Sequence, residues 1–272
     1  MQCPMCGSET PTVASSLSAD YHRCPNCGVL GLQPLPTPVA ADAWYDSGYF
    51  ASADKGGYVD YLGDEPTHRR NARRHLRKLG KGRNSPGRLI EIGAAAGFLL
   101  DEARSRGWTP DGVDVSAPMR DVARERFGLH MGSRLEELGI PPGSVDAVAA
   151  IQVIEHTIDP LHLLEEARRL MKPGARLLVE TWDIGSPVAR LAGRHWQQIN
   201  PPSVVWIWNR RQLRLLLQRA GFHGIRMRTG FKWVTLRTVL GQLGQKQLAG
   251  LPGTGIPLPY PLGDLIVVTA IA

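Results

Sequence analysis

Leu89-Ile90-Glu91-Ile92-Gly93-Ala94-Ala95-Ala96-Gly97 decides the fold class of this chain. A short apolar run ends abruptly in small residues, and Phe98–Arg106 then places its apolar positions at helical spacing. A strand that stops at a glycine and turns into a helix lets the backbone approach a ligand and aims the helix N-terminus at it. The same alternation recurs downstream. Strands are expected at Gly112–Val115, Val145–Ile151 and Ala175–Thr181, near Gly224–Arg228, and at Leu265–Ala270. Helices are expected over Pro118–Arg126, Pro160–Met171 and Arg210–Ala220. Such alternation predicts an α/β fold with a doubly wound, mostly parallel sheet, whose ligands bind at the carboxyl ends of its strands. The last two strands are expected to pair antiparallel. Two segments, 184–209 and 231–262, break the pattern and are expected insertions that cover the site.

The N-terminus carries a different signal. Cys3-Pro4-Met5-Cys6-Gly7 and Cys24-Pro25-Asn26-Cys27-Gly28 are paired knuckles separated by 17 residues, and they hold all 4 cysteines of the chain. Four thiolates at this spacing suit tetrahedral Zn²⁺ in a zinc ribbon, and the glycine after each pair permits the tight turn. A redox dithiol is the rival reading, to which two proline-containing pairs are poorly suited. The Pro-rich stretch Gln33–Pro38 reads as an extended connector. An aromatic segment follows, Trp44–Phe50 and then Tyr58–Tyr61. Thr67–Leu79 is an amphipathic helix with Ala72, His75, Leu76 and Leu79 on one face and arginines on the others.

With 272 residues, 43% hydrophobic and 21% charged, the chain has ordinary globular composition, which excludes wholesale disorder. Its longest apolar runs, Val145–Ile151 and Leu265–Ala272, are far shorter than a membrane span. No secretory signal is visible at the start, so a cytoplasmic protein is expected. The net charge of +7 is unevenly placed. Residues 66–88 hold 9 basic and no acidic side chains, and 184–272 hold 11 basic against one acid, Asp264. Basic blocks of this kind attract anions, which suggests an acceptor bearing phosphate or carboxylate.

Asp114 ends the second strand of the α/β region, where a carboxylate can accept both hydroxyls of a ribose. Facing a cleft, it is expected to be removable without loss of the fold. The glycine spacing argues against a dinucleotide fingerprint, because Phe98 falls where the third small residue belongs. Together these residues resemble class I S-adenosylmethionine-dependent methyltransferases. Glu91-x-Gly93-x-Ala95-x-Gly97 resembles the first motif, with Ala95 where the middle glycine is usual. Gly112-Val113-Asp114-Val115-Ser116 resembles the second, and Val145–Val148 with Val153–Pro160 the fourth-strand signature. Leu170–Ala175 resembles the turn before strand five. The knuckles, Tyr45, Tyr49-Phe50 and the Trp196 to Phe222 stretch resemble a bacterial subgroup with an N-terminal zinc ribbon.

The resemblance implies a seven-stranded sheet with a zinc ribbon over 1–32. A connector and basic helix over 33–85 would cover the cofactor site, and the methyltransferase domain would span 86–272. It further implies S-adenosylmethionine held by Glu91, Gly93, Ala94, Ala95, Gly97, Phe98, Asp114, Val115, Met119 and Gln152, with structural zinc on Cys3, Cys6, Cys24 and Cys27. An oxygen or nitrogen nucleophile needs a base, and His156 and His195 are the candidates; a hydrogen-bonding role in its loop is the alternative for His156. Trp196, Trp206 and Trp208 form either an acceptor wall or the packing of an insertion. The expected reaction is methyl transfer to a small or carrier-linked acceptor. Three alternatives stay open: a nicotinamide oxidoreductase, a zinc-ribbon nucleic-acid binder or modifier, and a non-catalytic domain. The nucleic-acid reading is disfavoured because the ribbon carries only Arg23 against Glu9 and Asp20.

Overall fold

The structure, a computed structural model, describes residues 2–8, 13–14, 18, 20–51, 58–80, 86–242, 245–251 and 253–272. It separates into two compact units: Met1–Ala41, Ile140–Gly230 and Leu262–Ala272 form the first, Asp42–Gly139 and Phe231–Pro261 the second. The knuckle region holds strands β1 (Val13–Ala14), β2 (Tyr21–Arg23) and β3 (Leu30–Leu32). Helices α1 (Pro38–Ala43), α2 (Ser47–Ala51) and α3 (Glu65–Leu79) follow. Then come β4 (Arg88–Ile92), α4 (Phe98–Arg104), β5 (Thr109–Val113), α5 (Ala117–Phe127), β6 (Val145–Ile151), α6 (Pro160–Leu170) and β7 (Met171–Trp182). The next elements are α7 (Pro187–Ala192), β8 (Trp206–Ile207), α8 (Arg210–Arg219) and β9 (His223–Thr229). The chain closes with β10 (Lys232–Thr235), α9 (Leu236–Gln242), α10 (Lys246–Ala249), β11 (Pro257–Tyr260) and β12 (Leu265–Ile271).

The central sheet is mostly parallel, with strand order β5-β4-β6-β7-β12-β9. Its interior strands are largely apolar, as burial on both faces requires: Val145, Ala147, Val148, Ala149 and Ala150 of β6 are fully buried. The expected antiparallel pair is β12 with β9, and β12 also pairs antiparallel with β7. Six strands are described where seven were expected. After α5 the chain makes a single bridge, Val113 to Gly132, and then departs. The Ser133 N–H donates to the Glu137 carboxylate at 2.7 Å instead of extending a ladder. Strand β5 begins three residues earlier than expected because Pro110 is accepted at the sheet edge.

In the first unit the ribbon strands extend into the 184–209 insertion. The sheet β1-β2-β3-β8 pairs Leu30 with Ile207 and Gly31 with Trp206. A Cβ on Gly31 would lie 2.6 Å from the Trp206 ring, so only glycine lets that ring approach. The Gln212 side chain donates to the Cys27 carbonyl at 2.9 Å while its oxygen caps α8 at Asn209. At the other end of α8, Arg219 donates to the carbonyls of Cys3 and Pro4 at 2.9 and 2.8 Å.

In the second unit α3 buries Thr67, Ala72, His75, Leu76 and Leu79. Its arginines are structural partners as well as a charged surface. Arg69 and Arg73 reach the buried Glu102 of α4, which Arg106 also contacts. The 231–262 insertion packs on the same helix. The Asn71 amide exchanges two 2.8 Å bonds with the Trp233 backbone, and the Arg70 guanidinium stacks 3.3 Å over the Trp233 ring. Thr235 donates to the buried Asp64 at 2.8 Å. Among the described residues, no helix is long and apolar enough to cross a membrane.

Candidate functional site

The turn after β4 is built by backbone conformation. Gly93 and Gly97 adopt φ of +71° and +78°, and Ala95 between them is held at +45°, unusual for a residue with a side chain. Two of the loop's amides are tied to β5, since the Gly93 and Ala94 N–H groups both donate to the Val113 carbonyl. A third is tied to Asp114, whose carboxylate accepts the Ala95 N–H at 2.7 Å and the Ser116 N–H at 2.8 Å. Asp114 is 9% exposed, so it is a brace for two loops as well as a cleft residue. Its loss is therefore expected to cost stability as well as any cofactor contact.

Around this turn the structure gathers Ala95, Phe98 and Met119 with Phe50 in one cluster, against which Tyr45, Tyr49, Tyr58 and Tyr61 pack. Val115 is half-buried beside Asp114. Glu91, next to last in β4, is buried; its Oε2 has no hydrogen-bond partner among the described residues, and burial, reinforced by the Asp114 charge, holds its carboxyl well above the usual range. Burial likewise pushes up the Asp114 carboxyl and the Tyr61 phenol. His68, stacked with Phe98, is pushed down to about 4 by burial, with the Lys232 charge acting in the same direction. Tyr61 and His68 were missed as site residues. The density of aromatics before α3 was the available signal, but only packing on Phe98 ties them to the turn.

Gln152 and His156 lie in the first unit, after β6. Gln152, also at positive φ (+55°), donates its N–H to the Glu180 carbonyl at 2.7 Å. The Nδ1 of His156 lies 2.7 Å from the Ser203 carbonyl oxygen, an acceptor, so Nδ1 carries the proton and Nε2 keeps a lone pair in the neutral ring. Burial lowers its pKa, which favours that neutral form. His195 is placed differently: it is exposed, with Nε2 accepting from Arg194 at 3.3 Å. Trp196, Trp206 and Trp208 are buried, and with Trp182 they line a cleft that also bears Glu155 and Thr181.

The four cysteine sulfurs all lie within 4.8 Å of one another, with Cys3 to Cys27 at 3.6 Å and Cys6 to Cys24 at 3.8 Å. A tetrahedral Zn–S distance of about 2.3 Å puts sulfurs roughly 3.8 Å apart, so the donor set fits that ion. The knuckles close through Gly7 N–H to Cys3 O and Gly28 N–H to Cys24 O, both 2.8 Å, with both glycines at positive φ. The Cys27 thiol bonds the Cys3 sulfur and holds Cys3 down to about 5.

Comparison with known proteins agrees with this geometry. The sequence profile of the methyltransferase domain family matches residues 64–226. The chain belongs to that family. This methyltransferase-family chain is 30% identical over 127 residues to a malonyl-[acyl-carrier protein] O-methyltransferase of Serratia marcescens, covering 46% of the chain and 49% of the relative. It is 28% identical over 141 residues to a ubiquinone biosynthesis O-methyltransferase of Xylella fastidiosa, covering 48% and 56%. The chain thus spans about half the length of the curated relatives it matches. A SAM-dependent methyltransferase structure from Archaeoglobus fulgidus superposes with a TM-score of 0.58 at 15% identity, covering 84% of this chain and all of that one, which shows the shared fold.

Proposed function

We propose that this chain transfers a methyl group from S-adenosylmethionine to a small or carrier-linked acceptor. The observation that carries the reading is the left-handed Gly93-Ala94-Ala95-Ala96-Gly97 turn locked to Asp114 through the Ala95 amide. Two carboxylates border this turn, and Glu91 Oε2 is unsatisfied among the described residues, as a polar ligand site requires. Glu91, Gly93, Ala94, Ala95, Gly97, Phe98, Asp114, Val115, Met119 and Gln152 are assigned to hold the cofactor, with Tyr61 and His68 added. When bound, S-adenosylmethionine supplies an electrophilic methyl group on sulfonium sulfur. The chain's own contribution is to align the acceptor and receive its proton. His156 is the assigned base, because its Nδ1 proton is held on the Ser203 carbonyl and burial favours the neutral ring; exposed His195 is not assigned a role. Zinc on Cys3, Cys6, Cys24 and Cys27 is assigned a structural role in holding the ribbon against α8.

The anionic acceptor suggested by the charge runs is left out of this reading. Arg190, Arg194, Arg211, Arg214, Arg219, Arg226 and Arg228 are all exposed. Calorimetry with S-adenosylmethionine, with NAD as control, tests the cofactor. Saturable heat with the first and none with the second is expected; the reverse would sink the proposal. Malonyl-[acyl-carrier protein], named for one relative, and intermediates of ubiquinone biosynthesis, the process named for the other, are the first acceptors to assay.

A further inference from the structure

We propose that Tyr21 of the ribbon is a positioning residue for His156, acting through the Ser203-Val204-Val205 segment that lies between them. As preparation of a base the proposal rests on the methyl-transfer reading; as a clamp on the ring it stands on its own geometry. All of these residues belong to the first unit. Three successive peptide planes of the segment are each held. The Val204 N–H donates to the Asn200 carbonyl at 2.9 Å, which fixes the plane whose other end is the Ser203 carbonyl. The Tyr21 hydroxyl donates to the Val204 carbonyl, and the Val205 N–H of that same plane donates to the Glu155 carbonyl at 2.8 Å. The Leu32 N–H of β3 holds the third plane, donating to the Val205 carbonyl at 2.8 Å. His156 is gripped by this segment twice. Its Nδ1 donates to the Ser203 carbonyl at 2.7 Å, and the Glu155 carbonyl beside it in the chain is the one that Val205 engages.

The clamp originates in the second knuckle. Tyr21 and Leu32 are a cross-strand pair of β2 and β3, and Cys24–Gly28 lies in the turn that joins those strands. Thiols that hold zinc close this turn, and so set the spacing of the two groups that grip Val204 and Val205. Tyr21 is fully buried, and burial, with the Asp20 charge acting in the same direction, raises its phenol pKa. The hydroxyl therefore keeps its proton and stays a donor. Ser203, Val204 and Val205 are buried as well, so water does not replace a bond lost there. Strand β8 continues the segment for only two residues, too few to hold their place without the ribbon. Which imidazole nitrogen carries the proton is set by the acceptor that faces it. Without the Tyr21 hydroxyl the Ser203 and Val204 planes are free to turn, and His156 loses its single tautomer.

The test uses the whole chain with its zinc and isotope-labelled histidine, and reads the imidazole resonances at neutral pH. His156→Gln assigns the signal. The parent should show one tautomer, protonated at Nδ1, with that proton in slow exchange. Tyr21→Phe keeps the ring and removes only the hydroxyl, and the Nδ1 proton should then exchange at least tenfold faster. Arg219→Gln loosens the first knuckle instead, through the Cys3 and Pro4 carbonyls, and should leave the His156 signal as in the parent. An unchanged signal in Tyr21→Phe, or an equal change in Arg219→Gln, overturns the proposal. If Tyr21→Phe does not fold, zinc withdrawal from the parent by a chelator decides. The Nδ1 proton signal should then be lost together with the exchange protection of the Leu32 and Val205 amides, and its survival overturns the proposal. Calorimetry with S-adenosylmethionine on the parent separates the two readings. Cofactor heat with an unchanged His156 signal in Tyr21→Phe refutes the clamp alone, whereas a changed signal without cofactor heat upholds the clamp and refutes methyl transfer.

Discussion

Asp114→Ala perturbs stability and cofactor binding through the same carboxylate, and the two effects can be measured apart. The side chain is 9% exposed and accepts the Ala95 and Ser116 N–H groups at 2.7 and 2.8 Å. Truncation strands both donors in a sheltered place, at about 1–3 kcal/mol each, so about 2–6 kcal/mol of stability should be lost. A domain holds only about 5–15 kcal/mol, so the variant should be visibly destabilised. The cofactor effect is separate. Charge-assisted bonds to ribose hydroxyls contribute about 1.5–3 kcal/mol each, and at about 1.4 kcal/mol per decade the loss of two weakens binding by roughly two to four orders of magnitude. Denaturant titration without cofactor reads the first effect. Calorimetry with S-adenosylmethionine at a temperature where both proteins are folded reads the second. Asp114→Asn should fall between, since its carbonyl oxygen can keep one of the two N–H bonds. A variant as stable as the parent would refute the brace, and one that binds S-adenosylmethionine as the parent does would refute the cofactor assignment.

Cys24→Ser should lower bound zinc below one equivalent, measured by elemental analysis, and lower the unfolding midpoint. Gly31→Ala should destabilise by about 1–3 kcal/mol through overpacking against the Trp206 ring, leaving the four thiols able to bind zinc. At Ala95, held at φ +45°, Ala95→Gly should shift stability by less than about 1 kcal/mol, because relief of left-handed strain is offset by a more flexible unfolded chain. Ala95→Val, β-branched at the same φ, should be clearly worse by the same denaturant titration. For Glu91 the folded-state pKa lies above the unfolded one, so the folded chain binds its proton more tightly and loses stability as pH rises from about 4 toward that raised value. Glu91→Gln removes the titration. The cofactor-free variant should therefore be more stable than the parent at neutral pH, with the difference shrinking as pH falls toward 4.

The sequence by itself determined the strand-to-helix turn, the alternation around it and the metal-ligand spacing. Each of these is a local regularity: an apolar run of strand length, glycines where φ must be positive, and thiols two residues apart. Gly93, Gly97, Asp114 and the paired cysteines were legible for that reason. That six strands rather than seven are described was not, because Ser133 leaves the sheet through a bond to Glu137 that no propensity records. Pro110 joined a strand only because β5 is an edge. A count of arginines after Asp183 is blind to burial and to pairing. Tertiary structure decided that Arg190, Arg194, Arg211, Arg214, Arg219, Arg226 and Arg228 are exposed, that Arg210 pairs with Asp183, and that Glu155, Asp183 and Asp264 are enclosed. It also decided that Gln212 and Arg219 of α8 grip the knuckles more than 180 residues away. Electrostatics and side-chain pairing depend on distance and dielectric in three dimensions, and these a linear pattern does not contain.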